Sequence, residues 1–98
     1  MLRKSYSKTG QSCRVTFELP KETGATFAVI CGEFNNWDPN CNPLKPRKDG
    51  RLSTTISIKA GRSYRFKYLV DNQRWENDSA ADNYVANEFG SDDSVLFV

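Results

Sequence analysis

"YRFKYLV", residues 64 to 70, decides the fold class, because its side chains sort with a period of two. Tyr64, Phe66, Tyr68 and Val70 share one side, while Arg65, Lys67 and Leu69 share the other. A helix would scatter these residues around its axis. A strand gathers the aromatics against a core and stands the cations on the opposite surface.

The flanking sequence follows the same rule. In "CRVTFEL" (13 to 19), Cys13, Val15, Phe17 and Leu19 alternate with Arg14, Thr16 and Glu18, and "LSTTISI" (52 to 58) turns Leu52, Ile56 and Ile58 inward. "TFAVICGEF" (26 to 34) is apolar on both faces, the mark of a central strand or of one whose outer face is covered. "RWE" (74 to 76) is a short strand at most, 77 to 93 reads as a polar loop, and "SVLFV" (94 to 98) closes the chain as a last strand. Turn formers separate these runs: "LPKETGA", the Asp49-Gly50 pair, "KAGRS" and Asp71-Asn72. No window carries a helical stripe, a repeat or a low-complexity tract. The chain is therefore predicted to be an all-β, immunoglobulin-like antiparallel β-sandwich of about seven short strands. Residues 1–98 read as a single domain, with 1–11 as a flexible lead-in.

Composition narrows the function. At 98 residues there is room for one core, and a net charge of +2 is far from the concentrated field of a dedicated nucleic-acid binder. "YRFKY" interleaves basic and aromatic residues as single-strand binders do, but its aromatics fall on the core side, so no nucleic-acid partner is expected. The opening "MLRKSYSKTG" has no apolar run behind its basic residues, which predicts neither signal peptide nor membrane anchor and a cytoplasmic protein. Three cysteines, Cys13, Cys31 and Cys41, lack zinc-site spacing, and there is no histidine to complete a ligand set. No metal and no cofactor are predicted. The cysteines read as reduced thiols, a Cys13 to Cys31 bridge requiring that their strands be neighbours.

Catalysis is poorly supplied. There is no histidine base, no GxSxG elbow and no glycine-rich phosphate loop. Glu33, Asp38, Asp71, Asp78, Asp92 and Asp93 lie in or beside loops, where carboxylates are ordinarily solvated, so the chain is not expected to be an enzyme.

What remains is planar apolar surface with polar neighbours. Trp37 sits in "GEFNNWDP" (32 to 39), a loop of turn formers in which Asn35 and Asn36 build the bend, and Trp75 follows the Asp71-Asn72 turn. Two exposed indoles suit a ligand with flat, weakly apolar faces ringed by hydroxyls, as a pyranose has. Lys67, on the outward side of its strand, supplies a long donor.

"GEFNNWDP", "YRFKYLVDNQRW" and "NEFGSDDSVLFV", in that order from about Arg14 to Val98, resemble the family 48 carbohydrate-binding modules. These include the glycogen-binding domain of the AMP-activated protein kinase β subunit and the N-terminal domains of isoamylases, pullulanases and glycogen branching enzymes. The resemblance implies an immunoglobulin-like sandwich that binds an α-1,4-glucan, glycogen or starch, without catalysis. It implies that Trp37 and Trp75 stack on glucose rings and that Lys67 donates to hydroxyls. In the last loop Phe89 stands where the kinase subunit pattern has leucine, Ser91 where it has threonine, and Asp93 where it has asparagine, which removes an amide donor. Arg74 is an extra residue ahead of Trp75. A second reading is a scaffold that packs against a glycoside hydrolase catalytic domain or another protein partner without binding sugar; the two-sided "TFAVIC" is the feature in its favour.

Overall fold

The alternation in 13–19 and 64–70 builds the two halves of one core. The computed structural model describes residues 2–98. Among them, nine strands form two antiparallel sheets: β1 (Leu2–Tyr6), β2 (Ser12–Leu19), β3 (Ala28–Gly32), β4 (Lys45–Pro46), β5 (Leu52–Lys59), β6 (Ser63–Val70), β7 (Arg74–Glu76), β8 (Asn83–Ala86) and β9 (Asp92–Phe97). The first sheet has the order β1-β2-β5-β4 and the second β3-β6-β9-β8, with β7 also pairing β6. The immunoglobulin arrangement sets four strands of this order against three, so β7 and β8 are additions between the last two strands of the second sheet.

Val15, Phe17 and Leu19 of β2 meet Ile30 of β3 and Tyr64, Phe66, Tyr68 and Val70 of β6 in the core. Phe17 and Phe66 pack edge to face at 5.2 Å between centroids, an arrangement that adds to the 1.5–3 kcal/mol, roughly, of burying each such side chain. Tyr68 carries a polar tip into this core and donates its hydroxyl to Asp78 at 2.7 Å. Burial, and then the Asp78 carboxylate, push the Tyr68 phenol well above its ordinary range. Asp78 in turn donates its backbone N–H to the Ser94 hydroxyl at 3.0 Å.

Several expectations change here. Residues 2–6 of the expected lead-in form the edge strand β1, in register with β2 from Leu2 opposite Phe17 to Tyr6 opposite Cys13. The polar stretch 77–93 contains β8, whose exposed side chains gave no apolar alternation and whose order comes from its ladder with β9. The strand total is nine rather than about seven. Two of the acids read as solvated, Asp78 and Asp93, are buried. Cys13 and Cys31 lie in different sheets, and all three cysteines are free thiols.

The two-sided apolar run has a local explanation. All five residues of β3 are buried, Ala28 and Ile30 toward the core and Val29 and Cys31 on the outer side. Beside β3 runs the segment 42–44: Ile30 N–H donates to Asn42 O at 3.0 Å and Leu44 N–H to Ala28 O at 2.8 Å, flanking a Val29–Pro43 bridge. The chain covers its own apolar strand.

Candidate binding site

The loop after β3 is anchored from within. Phe34 turns inward, with ring centroids 5.5 Å from Phe17 and 5.9 Å from Tyr64, which leaves the following residues on the surface. Gly32 permits this approach, since a Cβ there would lie 2.6 Å from the Arg65 carbonyl oxygen and 2.9 Å from the Phe34 ring. Asn35 then acts as a surrogate strand. Its Oδ1 accepts from Gly32 N–H at 3.0 Å, and its Nδ2 donates to Ile30 O at 3.0 Å and to Asn42 Oδ1 at 2.8 Å. The β3 groups beyond the reach of 42–44 are thereby satisfied.

Asn36 and Trp37 both adopt left-handed backbone conformations, each with φ of 57°. For tryptophan this costs about 1–2 kcal/mol and requires the surrounding structure to enforce it. Trp37 N–H donates to Gly32 O at 2.9 Å, and Asp38 N–H to Asn35 O at 3.2 Å. Asp38 accepts from Asn40 N–H at 2.8 Å and from the Cys41 thiol at 3.3 Å; these bonds lower its pKa, and the thiol's hydrogen bond to Asp38, more than burial or the carboxylate's charge, raises that of Cys41. Beneath this loop the Cys31 thiol is pushed up to about 11, first by burial and then by Asp38 and Cys41.

Lys67 and Trp75 reach the same face by register. Cys31 pairs with Lys67 across β3 and β6, and Leu69 pairs with Trp75 across β6 and β7, so these side chains stand on the outer face of the second sheet. The extra residue noted in the sequence is absorbed by the turn. Asp71 and Asn72 are left-handed, with φ of 54° and 56°, and three residues separate the paired Val70 and Arg74. Had Gln73 paired with Val70, Trp75 would have opposed Tyr68 and faced the core.

The third wall is the β8–β9 hairpin. Asn87 organises it: its Oδ1 accepts from Phe89 N–H at 2.9 Å and Ser91 N–H at 3.2 Å, and its Nδ2 donates to Ser91 Oγ at 3.0 Å and Asp93 Oδ1 at 2.9 Å. Gly90, with φ of 81°, completes the bend. Phe89 is left 84% exposed, too wet for a packing role. Lys67 Nζ lies 3.2 Å from Ser91 Oγ, tying the hairpin to β6.

Trp37, Lys67, Trp75, Phe89, Ser91 and Asp93, drawn from four separated segments, line one open groove. Glu33, Arg65 and Asn87 share it and were not expected at the site, Glu33 having been read as a solvated loop carboxylate. Arg65 was legible as an outward strand residue; Asn87 fell unremarked in the stretch 77–93 read as a polar loop. Glu33 Oε1 accepts from Arg65 N–H at 2.7 Å. Asp93 is largely occupied within the protein, by Asn87 and by Arg65 Nη1 at 3.8 Å, so it lines the floor as a fixed acceptor rather than a free one. Among the described residues no cluster of three or more His, Cys, Asp or Glu could hold a metal ion, and no helix is long and apolar enough to cross a membrane.

An open, aromatic-walled groove on one face of a sandwich, with hydrogen-bonding side chains on its floor, defines a β-sandwich binding module. Residues 12–97 match the family described as the glycogen recognition site of AMP-activated protein kinase, and the chain belongs to that family. It is thus a non-catalytic, glycogen-recognising type of carbohydrate-binding module. No curated protein sequence matches the chain.

Proposed function

We propose that the groove binds α-1,4-linked glucan, as glycogen, starch or maltooligosaccharide, by stacking pyranose faces on Trp37 and Trp75. Lys67 and Ser91 meet the hydroxyls at the ring edges, Phe89 adds an apolar contact from the hairpin, and Asp93 holds Asn87 and Arg65 in place beneath the sugar. The observation that carries this reading is the convergence of all six residues in one groove, although only the fold brings their segments together. Affinity is modest, because an open groove buries little of the ligand and a flexible chain loses freedom on binding. The scaffold reading draws less support: Val29 and Cys31, the outward apolar residues that suggested it, are buried within the chain itself.

The test is tryptophan fluorescence during titration with maltoheptaose, beside cellohexaose, for the wild type and for Trp37→Ala and Trp75→Ala. Saturable binding of the α-linked sugar alone, lost in each folded variant, is the expected result. An unchanged signal at millimolar sugar would refute the reading and turn attention to a protein partner.

A further inference from the structure

Phe27 lies outside the groove, is 42% exposed, and has no place in the core cluster. It precedes β3 by one residue, and the alternation that turns Ala28 and Ile30 inward turns Phe27 outward with Val29 and Cys31. It therefore shares the sheet face that carries Leu69, paired with Val29 on one side and with Trp75 on the other. Val29 is 1% exposed although it faces outward, which leaves Phe27 and the half-buried Leu69 as the apolar groups that this part of the face presents. From standard strand spacings, the Phe27 and Trp75 backbones are about 12 Å apart, two strands across and two residues along.

The mount of this ring is rigid. Asp71 Oδ1 accepts from Thr26 N–H at 3.1 Å, Thr26 Oγ1 at 2.8 Å and Phe27 N–H at 2.9 Å, while Asp71 N–H donates to Phe27 O at 2.7 Å. A phenyl ring held at both backbone groups loses little freedom when a ligand lies on it. Exposed Asn72 and Gln73 on the adjoining turn supply hydroxyl partners. A phenyl face rimmed by side-chain amides repeats the chemistry of the groove, on the far side of Trp75.

We infer that Phe27 is an additional platform for the same α-glucan chain, engaged when the chain extends past Trp75, and that it makes the module sense chain length. This rests on the glucan reading of the groove. Short oligosaccharides that fill only the groove do not reach Phe27; longer ones do, and gain one more stacking contact. Such a contact is worth about a 2- to 10-fold change in affinity.

The experiment is calorimetric titration of the wild type, Phe27→Ala and Phe27→Tyr with maltooligosaccharides from maltotetraose to maltodecaose. The expected result is that wild-type affinity keeps rising with length, that Phe27→Ala matches the wild type for the shortest sugar and falls about 2- to 10-fold behind it for the longest, and that Phe27→Tyr restores the gain. If Phe27→Ala binds the longest chain as tightly as the wild type, or weakens all lengths equally, the platform is refuted while the groove stands. If the wild type binds none of the series, both fall together. The ring is exposed and outside the core, so the alanine variant folds, which thermal unfolding verifies.

Discussion

Replacing Asn35 by alanine should destabilise the fold by about 2–4 kcal/mol, though the side chain is only half-buried. Two backbone groups of β3, the Ile30 carbonyl and the Gly32 N–H, take their bonds from this one amide, and Asn42 loses a third. Leaving a buried polar group unpaired costs about 1–3 kcal/mol, and partial access of water brings each of these toward the lower figure. The loss is a large share of the 5–15 kcal/mol, roughly, that such domains possess. Binding should suffer as well, because the strained backbone of Trp37 persists only while its loop is enforced. Asn35→Asp separates shape from hydrogen bonding: it fills the same volume and can accept from Gly32, but it sets a carboxylate against the Ile30 carbonyl. Urea unfolding and maltoheptaose titration of both variants check this. An aspartate variant as stable as the wild type, or an alanine variant within about 0.5 kcal/mol of it, would refute the view of Asn35 as a substitute strand.

Deleting Gln73 should leave Trp75 on the outer face, since Asp71 and Asn72 already have the left-handed angles of a two-residue hairpin turn; in a Trp37→Phe background, emission should stay that of an exposed indole, and a blue shift would show that the register had moved. Iodoacetamide should label exposed Cys41 in the folded protein, faster in Asp38→Ala because Asp38 holds its proton, and reach Cys13 and Cys31 only on unfolding, as peptide mass mapping would show. Because the folded state holds the Cys31 proton up to about pH 11 against 9.0 ordinarily, the unfolded state loses that proton first. Stability should then fall by about 1.4 kcal/mol per pH unit as pH rises between these values, and Cys31→Ala should flatten this slope. At the acid end, hydrogen bonds from Thr26 and Phe27 lower the pKa of Asp71, so its contribution is present above the unfolded value of 3.8 and lost as pH falls through the folded one. Asp71→Asn should reduce the loss of stability measured below about pH 4.

Much of this was legible from alternation. In 13–19 and 64–70 the residues that repeat every second position are those that fill the core, because a pleated strand offers each side chain only one of two faces. The site was legible in part for a related reason: indoles among turn formers are costly to leave wet, so Trp37 and Trp75 drew attention unaided, whereas Phe89 was found only through the family resemblance. β1 and β8 escaped because their stability lies in backbone ladders, which any sequence can make and none advertises. Asn35 was read as a loop builder and is one, but Asn87 escaped because an asparagine that orders a whole loop is written like any other in a polar stretch.

Residue order alone determined which face of each long strand is apolar and which segments resemble a glucan-binding module. Only the tertiary structure decided that Asp93 is engaged from within, that Val29 and Cys31 on the outer side of β3 are buried, and that Trp75 faces outward. The physical reason is that alternation is local, fixed by neighbours along the chain. Register, coverage and hydrogen-bond partnership depend on residues far away in sequence, and a one-residue slip in the pairing of β7 with β6 separates an indole in the groove from one in the core.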